Sequence, residues 1–195
     1  MKKETKKIIK DNLKLIVFSV LLSLTARTAI AENRFIPSES MLPSLKINDK
    51  IFVEKITEHT KGIKRSDIIV FFPPFLEKDR NDIFSTITRK LSFPNHEAWI
   101  KRVVALSGEK VMVENGIVYI NGSPLEEKYI KEKPFYNMEE KIVPEGSLFV
   151  LGDNRNNSAD SHIWGFLPEK YVVGKAVFRY WPLERIGSIS DSSLN

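Results

Sequence analysis

The chain has 195 residues, 42% of them hydrophobic and 28% charged, which is enough apolar content for one domain and argues against wholesale disorder. Cysteine is absent, so disulfides, thiolate nucleophiles and Cys-ligated zinc or iron–sulfur sites are excluded. Much of the positive excess in the net charge of +5 sits at the N-terminus, in Lys2, Lys3, Lys6, Lys7, Lys10 and Lys14, and no basic patch interleaved with aromatics marks a nucleic-acid surface.

Residues 1–14 form the basic N-terminus, and residues 15–31 form the one strongly apolar run, LIVFSVLLSLTA followed by Arg27 and a short apolar remainder. That length is at the short end for a bilayer core of about 30 Å, and Arg27 lies near one end, where its stem can reach the headgroups. Lysines on the N-terminal flank predict that this end stays in the cytoplasm. A basic start, a short apolar stretch and Ala29-Ile30-Ala31 also fit a cleavable secretory signal, although Arg27 lies awkwardly close to the cleavage position. Either reading exports residues 32–195.

Next comes Ile36-Pro37-Ser38-Glu39-Ser40-Met41-Leu42-Pro43-Ser44-Leu45, with two hydroxyls two residues apart between prolines. A hydroxyl attacks a carbonyl near neutral pH only when a base takes its proton. The chain has only three histidines, His59, His96 and His162. Beyond this segment the pattern is of strands: Lys50–Ile56, Asp67–Phe72, Trp99–Leu106, Lys110–Glu114, Ile117–Ile120, Leu148–Leu151 and Tyr171–Trp181. Asn115-Gly116 between two of them is a strong type I′ hairpin signal, and Asn121-Gly122 marks another turn. Residues 73–97 and 123–146 read as loops. The expected architecture is mainly β, with residues 107–146 as an inserted hairpin subdomain.

Lys101 lies within Trp99-Ile100-Lys101-Arg102-Val103-Val104 and shares a strand face with Trp99 and Val103. Burial disfavours an ammonium, so a lysine among such neighbours can lose its proton near neutral pH and act as a base. The alternative is an ordinary strand lysine reaching solvent. The segment Gly152-Asp153-Asn154-Arg155-Asn156-Asn157-Ser158-Ala159-Asp160-Ser161-His162 has the Asp, Asn and Ser density of a hydrogen-bonded turn system, and its aspartates could pair with Arg102 or Arg155. Its spacing does not fit a calcium loop, and no metal site or cofactor is expected.

These segments, in this order and behind an apolar N-terminal run, resemble type I signal peptidases, the membrane-anchored Ser/Lys endopeptidases. The wording AENRFIPSES is most similar to the cyanobacterial and plastid branch. The resemblance favours a retained anchor over a cleaved signal. It implies that Ser40 is the nucleophile and Lys101 the general base. Ser38 and the Ser40 N–H would form the oxyanion hole, Ser158 would hydrogen-bond the lysine amine, and Asp160 would support that end of the site. Asp153 would pair with Arg102. Ile36, Met41, Ile51, Val70, Trp99 and Ile100 would line the substrate pockets. The implied substrates are signal peptides of exported preproteins with Ala-x-Ala before the cleaved bond. The implied setting is a monomer in the lipid bilayer of the plasma membrane, with the thylakoid membrane as the alternative. The chain departs from the family pattern at Ser66, Ser107, Glu109, Asn156 and His162, where the family more often has Gly, Pro, Asp, an acidic residue and a basic residue.

Overall fold

The computed structural model describes residues 12–20, 31–55, 62–75 and 98–189. Residues 12–20 are helical, with Leu13, Leu15, Ile16, Val17, Phe18 and Val20 exposed. Among the described residues no helix is long and apolar enough to cross a membrane. Most of the anchor expected at 15–31 lies outside the described residues, as do His59 and His96.

The body is built from two antiparallel sheets. The larger has eight strands in the order β1 (Ala31–Phe35), β2 (Lys50–Glu54), β11 (Val172–Trp181), β3 (Ile68–Phe71), β4 (Trp99–Ala105), β9 (Ser147–Leu151) and β10 (Leu167–Pro168), with β12 (Gly187–Ser188) also paired to β11. The smaller sheet has the order β7 (Ser123–Pro124), β6 (Ile117–Ile120), β5 (Lys110–Glu114) and β8 (Met138–Ile142). All seven strand runs expected from the sequence are present. Asn115 and Gly116, at φ 51° and 76°, turn β5 into β6 in the left-handed region that such a two-residue hairpin requires.

β1 was not expected. Its sequence, AENRF, carries three polar residues and no clean alternation, and tertiary pairing along β2 decides its conformation. β7 and β8 fall in a stretch read as loop. β8 is an edge strand with four of its five residues exposed, so its sequence, MEEKI, offers no hydrophobic pattern to read.

Three hydrophobic clusters hold this arrangement. All four residues of β3 are buried: Ile68 and Val70 pack into one cluster with Met41, Ile51 and Ile100, while Ile69 and Phe71 pack into another with Val103 and Val150. A strand covered on both faces reads as a continuous apolar run rather than an alternating one. The third cluster joins the sheets, bringing Val104 and Phe149 against Val111, Val118 and Val143. β4 lies between β3 and β9 at the meeting of these clusters and is buried over six of its seven residues.

Ser66, where the family pattern implies glycine, sits just before β3 at φ 72°. A residue with a Cβ is strained there, by roughly 1 kcal/mol. The backbone is held in place because Ser66 N–H donates to the Val103 carbonyl and its own carbonyl accepts from Arg102 Nη1. The exposed side chain makes no hydrogen bond of its own among the described residues. Ser66→Gly is therefore expected to stabilise the fold by about 0.5–1 kcal/mol, read as a higher denaturant midpoint at unchanged slope. A lower midpoint would show that the strain is relieved elsewhere.

Candidate active site

The segment between β1 and β2 folds into a compact turn whose base is closed by Ile36 N–H to the Asp49 carbonyl and Asn48 N–H to the Ile36 carbonyl, both at 3.0 Å. Met41 and Leu45 anchor it in the core, each fully buried. Ser44 is structural: its hydroxyl accepts from Arg102 Nη2 at 3.1 Å, and its carbonyl accepts from Arg179 Nη1 at 3.0 Å. Asp49 and the two buried or half-buried arginines 179 and 185 brace the turn from below, Arg185 donating to both Asp49 oxygens. Ser40 thus stands on a rigid support, only 7% exposed.

Lys101 reaches Ser40 from β4. Its Nζ lies 2.8 Å from Ser40 Oγ and donates to the Ile100 carbonyl at 3.0 Å. The side chain is 4% exposed, because β4 is covered on both faces. The solvent-reaching alternative is thereby overturned. Burial drives the amine pKa down to about 8, and the negative charges of Asp160 and Asp153 offset part of that effect. A neutral amine has two donors and one lone pair. With one N–H directed at the Ile100 carbonyl, the lone pair can accept the Ser40 proton. Ser38 Oγ lies 3.3 Å from Ser40 Oγ. The N–H of Ser40 has no acceptor among the described residues, so it remains free to donate to a developing oxyanion.

The Asp-Asn turn after β9 closes the site. Asn154 holds the Ser40 turn, its N–H donating to the Ser40 carbonyl at 3.0 Å and its Nδ2 to the Glu39 carbonyl at 3.2 Å. Arg102 and Asp153 form a buried fork, Nε to Oδ1 at 2.8 Å and Nη2 to Oδ2 at 2.7 Å, with the guanidinium 3.9 Å from the Tyr129 ring centre. Asp160 is fully buried, accepts from Gly152 N–H at 2.9 Å, and lies 2.6 Å from His162 Nδ1. Tyr136 stacks on the His162 ring at 4.0 Å.

Two expectations are corrected by this geometry. Ser158 Oγ is buried and has no hydrogen-bond partner among the described residues; the polar contacts of Lys101 Nζ there go to Ser40 and Ile100 instead. Ser158 Oγ packs over Gly152, where an added Cβ would come within 2.3 Å of it. The pocket residues also divide. A cleft of about 450 Å³ beside the pair is lined by Ser38, Glu39, Trp99 and Ile100 along with Ser40 and Lys101. Ile36, Met41, Ile51 and Val70 lie in the core and are not among the described residues that line this cleft, since they fill the space between β2, β3 and the Ser40 turn.

A further set of supporting residues was not anticipated. Arg155, fully buried, donates through both terminal nitrogens to Glu127, and Tyr129 OH donates to the same carboxylate. Lys131 N–H donates to the Asp153 carbonyl, and Asn156 bridges Lys133 and Phe135. The stretch 125–137 therefore folds back from the smaller sheet as a strap over the Asp-Asn turn. Its Lys and Glu content looks like a solvated loop, and only the buried Arg155 hinted that a carboxylate had to come from elsewhere.

A family model described as "Signal peptidase, peptidase S26" matches residues 9–181. The chain belongs to this family. It is 48% identical over 179 residues to "Signal peptidase I" of Leptolyngbya laminosa, covering 92% of the chain and 83% of that protein. It is 45% identical over 183 residues to "Probable signal peptidase I-1" of a Synechocystis strain, covering 94% and 88%. It is also 40% identical over 172 residues to "Probable thylakoidal processing peptidase 2, chloroplastic" of Arabidopsis thaliana, covering 88% of the chain and 44% of the plant protein. Similarity to the cyanobacterial and plastid branch is thus borne out. As a member of the signal peptidase family the chain is a serine peptidase of signal peptides.

Within this signal-peptidase framework, Gly152 is the point of tightest approach. A Cβ there would meet Ser158 Oγ at 2.3 Å and the Ser40 carbonyl oxygen at 2.5 Å, and a backbone oxygen cannot swing aside. Gly152→Ala is expected to cut peptidase activity about a hundredfold by displacing Ser40 from Lys101. Wild-type turnover in that variant would mean the turn is not held as described. Asp153→Ala leaves Arg102 buried without its carboxylate and is expected to destabilise the fold by about 3–5 kcal/mol. Replacing both partners, Arg102→Met with Asp153→Leu, should recover most of that loss in chemical denaturation.

Proposed function

We propose that the protein is a membrane-anchored endopeptidase that removes N-terminal signal peptides from exported preproteins, with Ser40 as nucleophile and Lys101 as general base. The observation that carries this reading is the 2.8 Å contact between Ser40 Oγ and a buried amine whose pKa is lowered to about 8. Ser40 attacks the carbonyl carbon of the scissile bond while its proton passes to Lys101 Nζ. Ser40 N–H and Ser38 O–H donate to the oxyanion. The Lys101 ammonium then protonates the leaving amine, and the ester to Ser40 is hydrolysed by a water activated by the same amine.

The substrate binds as an extended strand. Pairing of β4 with β9 begins only at Arg102, so residues 98–101 have an edge not taken by β9, and all four of them, Ala98, Trp99, Ile100 and Lys101, line the cleft. An added strand would bring its scissile carbonyl to Ser40. Small side chains, as in Ala-x-Ala, suit the positions before the bond, with Ile100 and Trp99 as apolar contacts. Residues 1–14 lie in the cytoplasm, 15–31 form the anchor, and 32–195 form the catalytic domain on the exported side, with 107–146 as an inserted subdomain. The protein acts as a monomer in the plasma membrane or thylakoid membrane and needs no cofactor.

Cleavage of an Ala-x-Ala precursor by the full chain in detergent should fall at least about a thousandfold in Ser40→Ala and in Lys101→Met. Full activity in either variant rejects the dyad. The rate should rise with pH through an apparent pKa near 8, because the unprotonated amine is the base. A rise only above pH 10 would contradict this.

The same burial sets a stability linkage. The folded pKa lies below the unfolded value of about 10.4, so between about pH 8 and pH 10 the unfolded chain binds more protons. Stability then rises with pH through that window, and below it the cost of the buried charge is present in full. At neutral pH Lys101→Met should stabilise the fold by up to about 3 kcal/mol. A destabilised Lys101→Met would mean that the hydrogen bonds of the amine outweigh its desolvation.

A further inference from the structure

Glu39 stands in sequence between Ser38 and Ser40 and is among the residues that line the cleft. Its backbone is held through its carbonyl, which accepts from Asn154 Nδ2 at 3.2 Å and from Leu42 N–H at 3.1 Å. The side chain is exposed and has no ion-pair or hydrogen-bond partner among the described residues. Among the described residues that line the cleft, only Glu39 and Lys101 are ionisable. Asp153 and Asp160 are fully buried behind it and face Arg102 and His162. When Lys101 is neutral, as the base must be, Glu39 is therefore the single charge on the described wall of the cleft.

We propose that Glu39 sets a charge preference in substrate choice, so that preproteins with Lys or Arg next to the scissile bond are cleaved faster than those with Asp or Glu. The inference rests on the endopeptidase reading above. In that reading small side chains occupy the positions one and three residues before the bond. The residue two before and the first residue after are left as carriers of charge within reach of the carboxylate. An exposed carboxylate a few ångströms from a substrate charge acts through a mostly aqueous path, so its effect is modest and is screened by salt. The charges that pull Lys101 toward its charged form are those of Asp160 and Asp153, and the role assigned to Glu39 is in the choice of substrate.

The test uses the full chain in detergent at about pH 9 and three synthetic precursors that differ only in Lys, Gln or Glu at the residue two before the bond. A second set varies the first residue after it. The expected kcat/KM ratio of the Lys to the Glu precursor is about three- to tenfold in at least one set. It should fall toward one in Glu39→Gln and invert in Glu39→Lys. In the wild type the ratio should shrink as salt rises from about 0.05 M to about 0.5 M, a readout that needs no variant. Equal rates for all charges, a ratio untouched by Glu39→Gln, or a ratio indifferent to salt would each overturn the inference and leave the peptidase reading standing. If the wild type fails to cleave even the Gln precursors, the peptidase reading falls and the inference with it.

Discussion

Keeping an amine out of water lowers its pKa toward neutrality, where it becomes able to take a proton from a hydroxyl, and much of this protein serves to keep Lys101 out of water. Losing solvent costs the ammonium more than the neutral amine, which is what lowers its pKa. The strand that carries it must be covered on both faces, as β4 is over six of its seven residues, even though β9 leaves its edge open at Lys101. The hydroxyl must then be brought to the amine by a separate piece of chain that is itself rigid. The turn from β1 to β2 meets this need through its buried Met41 and Leu45 and the arginines bound to Ser44 and Asp49.

A dry site also needs its remaining charges paired. Arg102 adjoins Lys101 in the same strand and would be a costly neighbour if left alone. Asp153 neutralises it through a two-pronged hydrogen bond, and that bond ties β4 to the turn after β9. Asn154, next in sequence, fastens the same turn to the carbonyls of Glu39 and Ser40. Three stretches far apart in the chain thus meet at one point, and the pair that neutralises charge also sets position. Arg155 extends the arrangement to Glu127 and so recruits the strap from the smaller sheet. The inserted sheet contributes to the site by bracing this turn, although none of its residues is among those lining the cleft.

Much of this was legible in the sequence, and the reasons differ by element. β3 and β4 could be read because strands covered on both faces carry unbroken apolar runs, and a lysine within such a run is conspicuous. The β5–β6 hairpin could be read because Asn115-Gly116 is chemically committed to one turn. β1 and β8 could not, since an edge or near-edge strand is specified by its partner rather than by its own pattern. The Glu127–Arg155 pair joins positions 28 residues apart through a strap whose composition is that of a solvated loop. The contacts of Ser158 and the burial of Ile36, Met41, Ile51 and Val70 depend on side-chain direction within a curled sheet, which residue type alone does not determine. Ser66 is the reverse case: its departure from glycine was visible, and the left-handed backbone explains why glycine is favoured there.

The central claim is that Lys101 is a largely neutral amine at mildly alkaline pH because it is buried. The most direct measurement is an NMR titration of the full chain in detergent with 13C-labelled lysine side chains, with Lys101→Met used to assign the signal. The account predicts one lysine signal titrating near pH 8 that is absent from Lys101→Met. A Lys101 signal that titrates only above pH 10 would contradict it.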